Sequence, residues 1–381
     1  MRDTKVNTIG RSYLRPEVLQ HRPSGYFTLE KCPVNLRGVE LVIKAFPWMQ
    51  QDGNLSRCAH VALWSTVRYY SEKYPFYAQK TLFEISDLLQ SNVRKSPSSG
   101  MTIMQIAQVL RDCNFYPDLY FKDLHSPQEF HRLLYTVVES GIPYVAALQK
   151  PGREGHAVAI LGHGKVSSAA ETFADRTGIV DSWELVDFLI ASDDNHIPYT
   201  RIERCETSVT NTGGHEYCYD NISVMVVPYY EKMFLDVNSL FRGPSYRGCL
   251  DIIENSFLNL PSDRPIVRRT FLTSSRSFKK FYAEESRCTN YRELILRREM
   301  PKFVWVVEYA LAEQFDAHEF TWQILIDATA MNFLDSVFIC IKDGTRMIIN
   351  QPLNDSPEPF TIFTLASETE TQYTNNLEVI S

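Results

Sequence analysis

Residues 51–73 read QDGNLSRCAHVALWSTVRYYSEK, a polar loop that runs straight into an apolar segment of helical period. Ala59, Leu63, Val67 and Tyr70 recur at that spacing and Ser56 is a good N-cap, so the stretch predicts a helix from about Arg57 to Lys73. Cys58 falls in its first turn. The other seven cysteines, at 32, 113, 205, 218, 249, 288 and 340, are scattered without CxxC pairs in a 381-residue chain. A chain of that size needs no disulfide staples, so most are expected to be reduced, buried thiols. Cys58 departs from that expectation, because the exposed N–H groups and dipole of a helix N-terminus favour thiolate over thiol.

A thiolate nucleophile needs a general base, an orienting group for that base and a donor for the oxyanion. His156 sits between the Gly-rich loop Gly152–Gly155 and the apolar run Ala157–Gly162, at the entry of a predicted strand that can aim it into a cleft. Downstream, Phe188–Ser192 is an apolar strand ending in Asp193, Asp194 and Asn195. Asp193 is the first choice to hold the imidazole, with Asp194 and Asn195 as alternatives. Gln51, seven residues before Cys58, and Gln50, eight before, are both near enough in sequence to share an oxyanion hole with the Cys58 N–H.

The order of Gln, helix-opening Cys, helical subdomain, Gly-His strand and Asp strand resembles the papain-like cysteine peptidase superfamily, most closely its bacterial branch of bacteriocin-leader-processing peptidases. Gln51–Leu63, Gly100–Leu110, Gly141–Val145 and Gly155–Val158 carry the likeness, over roughly residues 45 to 200. The family's Gln usually stands six residues before the Cys, where this chain has Asp52, so Gln51 requires a loop longer by one. The resemblance implies a cysteine peptidase acting on a peptide or isopeptide bond through a thioester, with Cys58, His156, Asp193 and Gln51 as its site. A thiol acyl-transferase or deamidase of transglutaminase-like type, and an inactive papain-like scaffold, are the alternatives. With no ATP-binding or exporter segment following, a processing domain of a peptide exporter is not expected.

The rest of the chain fits an α+β protein. Helical patterns at Leu82–Leu89, Thr102–Cys113 and from Ser126 to near Gly141 precede strands at Ile142–Leu148, His156–Gly162, Ser182–Ser192 and Ile222–Val227. Beyond a boundary near Pro228–Lys232 come helical patterns at Tyr229–Leu240 and Tyr246–Phe257, then strands at Phe303–Leu311, Thr321–Asp327 and Ser336–Ile341. This predicts an N-terminal arm over 1–33, a papain-like domain (helical subdomain plus antiparallel sheet) over 34–230, a second α+β domain over 231–366 and a flexible tail over 367–381.

A net charge of −7, from 39 basic and 46 acidic residues, argues against nucleic acid and membrane surfaces as partners. No run approaches the roughly 20 apolar residues of a membrane-spanning helix, and the first residues lack a signal peptide's apolar core, so a cytoplasmic protein is expected. The expected partner is a protein or peptide substrate, with the C-terminal domain as the candidate surface for self-association. No cofactor and no metal are expected. Cys205, His215, Cys218 and His196 fit no strong zinc template, and Asp316, His318, Glu319 and Asp327 read as a polar turn and a strand end. His163 is expected to face solvent or pack at a strand end, and His60 to be structural or exposed.

Overall fold

The computed structural model describes residues 9–19, 23–51, 57–89, 100–205, 214–242, 250, 254–255, 257–287, 289–330, 338–350 and 360–380. It is a mixed α+β structure with several sheets. The chain forms two compact units: the first takes residues up to Lys165, Asp187–Glu231 and the stretch from Leu377, and the second takes Val166–Val186 and Lys232–Asn376.

In the first unit, β1 (Ser12–Leu14), β2 (Gly25–Phe27), β3 (Glu30–Leu36) and β4 (Val39–Trp48) come before any helix. β3 and β4 form a hairpin turned at Arg37 and Gly38, both at positive φ (52° and 89°). Then follow α1 (Cys58–Lys73), α2 (Leu82–Leu88), α3 (Ile103–Asp112), β5 (Tyr116–Phe121) and α4 (Pro127–Glu139). The expected cap of α4 is present: the Ser126 hydroxyl accepts from the Glu129 N–H, and the Glu129 carboxylate accepts from the Ser126 N–H. Next are β6 (Tyr144–Leu148), β7 (His156–Gly164), α5 (Ala169–Thr172) and β8 (Gly178–Asp181), the last two belonging to the second unit. β9 (Phe188–Ser192), β10 (Thr200–Glu203), β11 (Gly214–Cys218) and β12 (Ile222–Tyr229) complete the run. The main sheet has the order β11-β10-β9-β7-β6-β12-β5, with α1 packed on β7, β6 and β4.

The ends of the chain depart from expectation. β2 pairs antiparallel with β7, and the closing strand Glu378–Ile380 pairs with β2. The described residues of the arm and the tail thus contribute strands to the sheets. A Cβ on Gly162 would lie 2.2 Å from the Tyr26 carbonyl oxygen, so β2 can lie against β7 only where a side chain is missing. Nothing in the local pattern of 1–33 or 367–381 announces such a pairing. The strand expected over Ser182–Ser192 begins only at Phe188, Ser182–Leu185 being a 3-10 turn. Tyr229, expected to open a helix, closes β12. The helix there is α6 (Val237–Arg242), and most of 246–257 lies outside the described residues.

The second unit is built on the sheet β19-β18-β17-β16-β14-β13-β8, whose further strands are β13 (Pro265–Ser274), β14 (Phe303–Leu311), β16 (Trp322–Asp327), β17 (Phe338–Asp343), β18 (Arg346–Asn350) and β19 (Phe360–Thr364). β15 (Glu319–Phe320) and β20 (Glu370–Thr371) form a small separate pair. Residues from β13, β14 and β16–β18 share one apolar core with α7 (Ser275–Glu284), α8 (Asn290–Arg297), Phe173 and Tyr373. Of the residues weighed as a metal cluster, Asp316 accepts from Ser168 and from the N–H groups of Ala169 and Ala170, Asp327 accepts from the Thr329 N–H, and Glu319 pairs with Arg287. Each is engaged in local structure. No helix among the described residues is long and apolar enough to cross a membrane.

Candidate active site

Cys58 is the first residue of α1 and is partly exposed. The cap position is Arg57, with no side-chain capping bond; Ser56, the expected cap, lies outside the described residues. Cys58 thus stands at a helix N-terminus, where backbone N–H groups and the helix dipole favour negative charge.

His156 opens β7, opposite Leu148 of β6, and β9 runs antiparallel to β7 with Ser192 opposite Ala159. That register carries the residues after Ser192 back toward His156. The result is a hydrogen bond between His156 Nε2 and Asp193 Oδ1 at 3.0 Å, while Asp194 Oδ1 stands at 3.9 Å. Of the three candidate orienters, the structure thus places Asp193 on the ring. Its loop is pinned from two sides: the Trp48 indole N–H donates to the Asp193 carbonyl at 2.7 Å, and the Asn195 N–H donates to the Asp193 carboxylate at 2.9 Å. Cys58 is near enough to the ring for its hydrogen bonding and charge to favour the protonated imidazole, second to Asp193.

Burial works against a charge on His156, but the Asp193 and Cys58 hydrogen bonds and charges outweigh it and push the pKa up to about 10. Asp194 is raised to about 7, first by burial and then by repulsion from Asp193, with His156 pulling the other way. It is 4% exposed and neither oxygen has a hydrogen-bond partner of normal geometry. The fold therefore favours the neutral acid, and Asp194's contribution to stability is fully present below pH 3.8 and lost as pH rises through about 7. Asp194→Asn should accordingly gain stability relative to wild type as pH rises from about 4 to about 7 and level off above that, read as a difference in Tm that grows and then holds; a difference that stays flat across that range would mean that Asp194 carries its charge in the folded state.

Gln51 donates from Nε2 to Asn195 Oδ1 at 2.8 Å, which places it beside the Asp193 loop. Gln50 is taken up elsewhere: its carbonyl side-chain oxygen accepts from the Ile9 N–H at 2.8 Å and its own N–H donates to Ile9. Tyr217 of β11 was not legible as a site residue, yet its ring lies 6.0 Å from the His156 ring at 19°, nearly parallel. His156, Asp193 and Asp194 have ligand atoms within 4.8 Å of one another, near enough for a cation, but Nε2 is already spent on Asp193 and we assign none.

Of the other residues weighed from the sequence, both histidines take the packed one of their two expected places and the two cysteines differ from expectation. His163 does not face solvent: it is 1% exposed, with Nε2 2.7 Å from Glu139 and Nδ1 2.8 Å from the Gly164 carbonyl. Cys205 and Cys218 are joined as a disulfide and so are neither reduced thiols nor zinc ligands. His60 is buried.

No family model matches the chain, and no curated protein matches it. Among solved structures the chain is similar to the peptidase domain of Streptococcus ComA, a bi-functional ABC transporter involved in a quorum-sensing pathway. Identity is 13% and the TM-score 0.27, with 46% of this chain and 98% of that domain covered.

Proposed function

We propose that the chain is a papain-like cysteine peptidase that cleaves a peptide or isopeptide bond through Cys58, His156 and Asp193. The observation behind this is a single imidazole hydrogen-bonded to the Asp193 carboxylate and near enough to Cys58 to be held protonated by both. Thiol, base and orienter come from a helix start, a strand start and a strand end, so their mutual geometry is fixed by regular structure.

In the proposed reaction the His156 ring, held protonated by its Asp193 and Cys58 neighbours, keeps the proton of the pair as the Cys58 sulfur attacks the scissile carbonyl carbon. The C–S bond forms as the carbonyl becomes an oxyanion, stabilised by the Cys58 N–H at the mouth of α1 and by the Gln51 amide. When the C–N bond breaks, the leaving amine receives the proton from His156, and a water deprotonated by the same ring then hydrolyses the thioester. Asp193 keeps the ring in the tautomer and orientation that both steps need.

Alkylation of the whole protein with iodoacetamide near neutral pH tests the nucleophile. Burial pushes the Cys32 and Cys340 thiols up to about 12 and that of Cys113 to about 11, so these should stay inert while Cys58 reacts first. A Cys58 that reacts no faster than a thiol in the unfolded chain would remove the basis for the proposal. Mass spectrometry of the products with and without added amine then separates hydrolysis from acyl transfer.

A further inference from the structure

We propose that the Cys205–Cys218 disulfide is a redox control on this site, acting through Tyr217 as a positioning residue, an inference that rests on the thiol-nucleophile reading above. With the bond closed, β11 holds the Tyr217 ring against the His156 imidazole; with it open, the ring is released and the Cys58–His156–Asp193 set loosens.

β11 is the outermost strand of its sheet, and its parallel pairing with β10 is slight, Arg201 opposite Gly214 and Glu203 opposite Cys218 with an irregularity between. An edge strand held so lightly depends on other ties. The disulfide is one, joining Cys218 at the end of β11 to Cys205 just beyond β10, one residue from Tyr217. The rest come from the turn that leads into His156: Lys150 donates to the Glu216 carbonyl and sits 5.0 Å over the Tyr217 ring, and Arg153 pairs with the Glu216 carboxylate. Tyr217 is 5% exposed, so its ring forms a wall between the imidazole and water. The other groups facing His156 are Cys58 from α1 and Asp193 and Asp194 from the end of β9.

Cys205 is exposed and Cys218 partly so, which leaves the bond open to a dithiol reductant, whereas the thiols of Cys32, Cys113 and Cys340 are buried. A thiolate of the dithiol attacks one sulfur and breaks the S–S bond. The mixed disulfide is resolved by the second thiol, the reductant closes to its own disulfide, and Cys205 and Cys218 leave as thiols with the two protons and two electrons it gave up. Cys58 must itself be reduced to act, so the site would work within a redox window: oxidants consume Cys58, and strong dithiols open the clamp.

The test compares full-length wild type, Cys205→Ser/Cys218→Ser, Tyr217→Phe and Tyr217→Ala. Two quantities are read: the rate of Cys58 alkylation by iodoacetamide at pH 7, and the titration of the His156 ring by NMR. Loosening the set weakens the Asp193 and Cys58 interactions that hold the charge on the imidazole, so the double Ser variant and Tyr217→Ala should alkylate roughly tenfold more slowly and titrate about one pH unit lower, each unit being a factor of ten in the protonation equilibrium. Tyr217→Phe keeps the ring and should match wild type. If both readouts of the double Ser variant equal those of wild type while Cys58 still outpaces the other thiols, the redox control is wrong and the reading of the site stands. A wild-type Cys58 of ordinary reactivity overturns the reading of the site and the control with it, and a non-reducing peptide map with Cys205 and Cys218 both free overturns the control alone.

Discussion

Replacing Cys58 with Ala is expected to lower kcat/KM on a cleaved peptide by about 10^4-fold or more, because no covalent intermediate can then form. What survives is the catalysis that the helix N-terminus and substrate binding give to direct attack by water. The three residues act as one device, so His156→Ala alone should cost a similar factor and the double variant little more. The fold should be unaffected: Cys58 is partly exposed at a helix start, and Ala is the best helix former. The check is kcat/KM by quantified peptide cleavage, with Tm measured beside it. Wild-type turnover by a folded Cys58→Ala protein would move the chemistry to another group.

The largest effect on stability is expected at Tyr373, inside the segment that the sequence marks as a frayed tail. Its side chain is fully buried, with ring contacts to Phe271 at 5.3 Å, Phe278 at 5.6 Å and Phe281 at 5.3 Å. Its hydroxyl lies 2.8 Å from Thr273 Oγ1 and 2.7 Å from Ser277 Oγ, and donates to Asn376 Oδ1 at 3.2 Å. Its carbonyl accepts from the Arg269 guanidinium at 2.8 Å. Tyr373→Ala would leave a cavity under three aromatic rings and strand the hydroxyls around it, a loss of about 3–5 kcal/mol for an aromatic truncation in a core. Tyr373→Phe keeps the ring and should lose only about 1 kcal/mol, the net worth of a typical buried hydrogen bond. Denaturant midpoints of the two variants against wild type decide this; near-equal midpoints for Tyr373→Ala and wild type would mean that the segment is not part of the core.

The residues legible in the sequence were those whose signal is local. Cys58 stands at the switch from polar loop to helical period, His156 at the switch from a Gly-rich loop to strand, and Asp193 where an apolar strand meets carboxylates. Ser126 and Glu129 announced α4 for the same reason. What stayed hidden depends on partners far away in the chain. The polar mixture at 370–376 gives no hint that Phe271, Phe278 and Phe281 will surround Tyr373. Tyr217 lies in a run of mixed polar and aromatic residues and becomes a wall only because β11 lands at the edge of the sheet that holds His156. Asp194 reads like any acid beside another, and what distinguishes it from the equally buried Asp193 is that Asp193 has the His156 ring and the Asn195 N–H as partners. The detour of Val166–Val186 into the second unit follows from β8 pairing with β13, a match between strands that nothing in residues 178–181 specifies.

The pairing of the closing strand with β2 bears on the order of events during synthesis. β2 is made long before the strand that covers its free edge, which lies about 350 residues further along. Until then the first unit carries an uncovered strand edge, a template for wrong pairings. β2 lies on β7, the strand that begins with His156, so the edge that closes last belongs to the sheet on which the candidate site is built. A nascent chain would therefore carry Cys58 and His156 on an unfinished sheet until Glu378–Ile380 has been made.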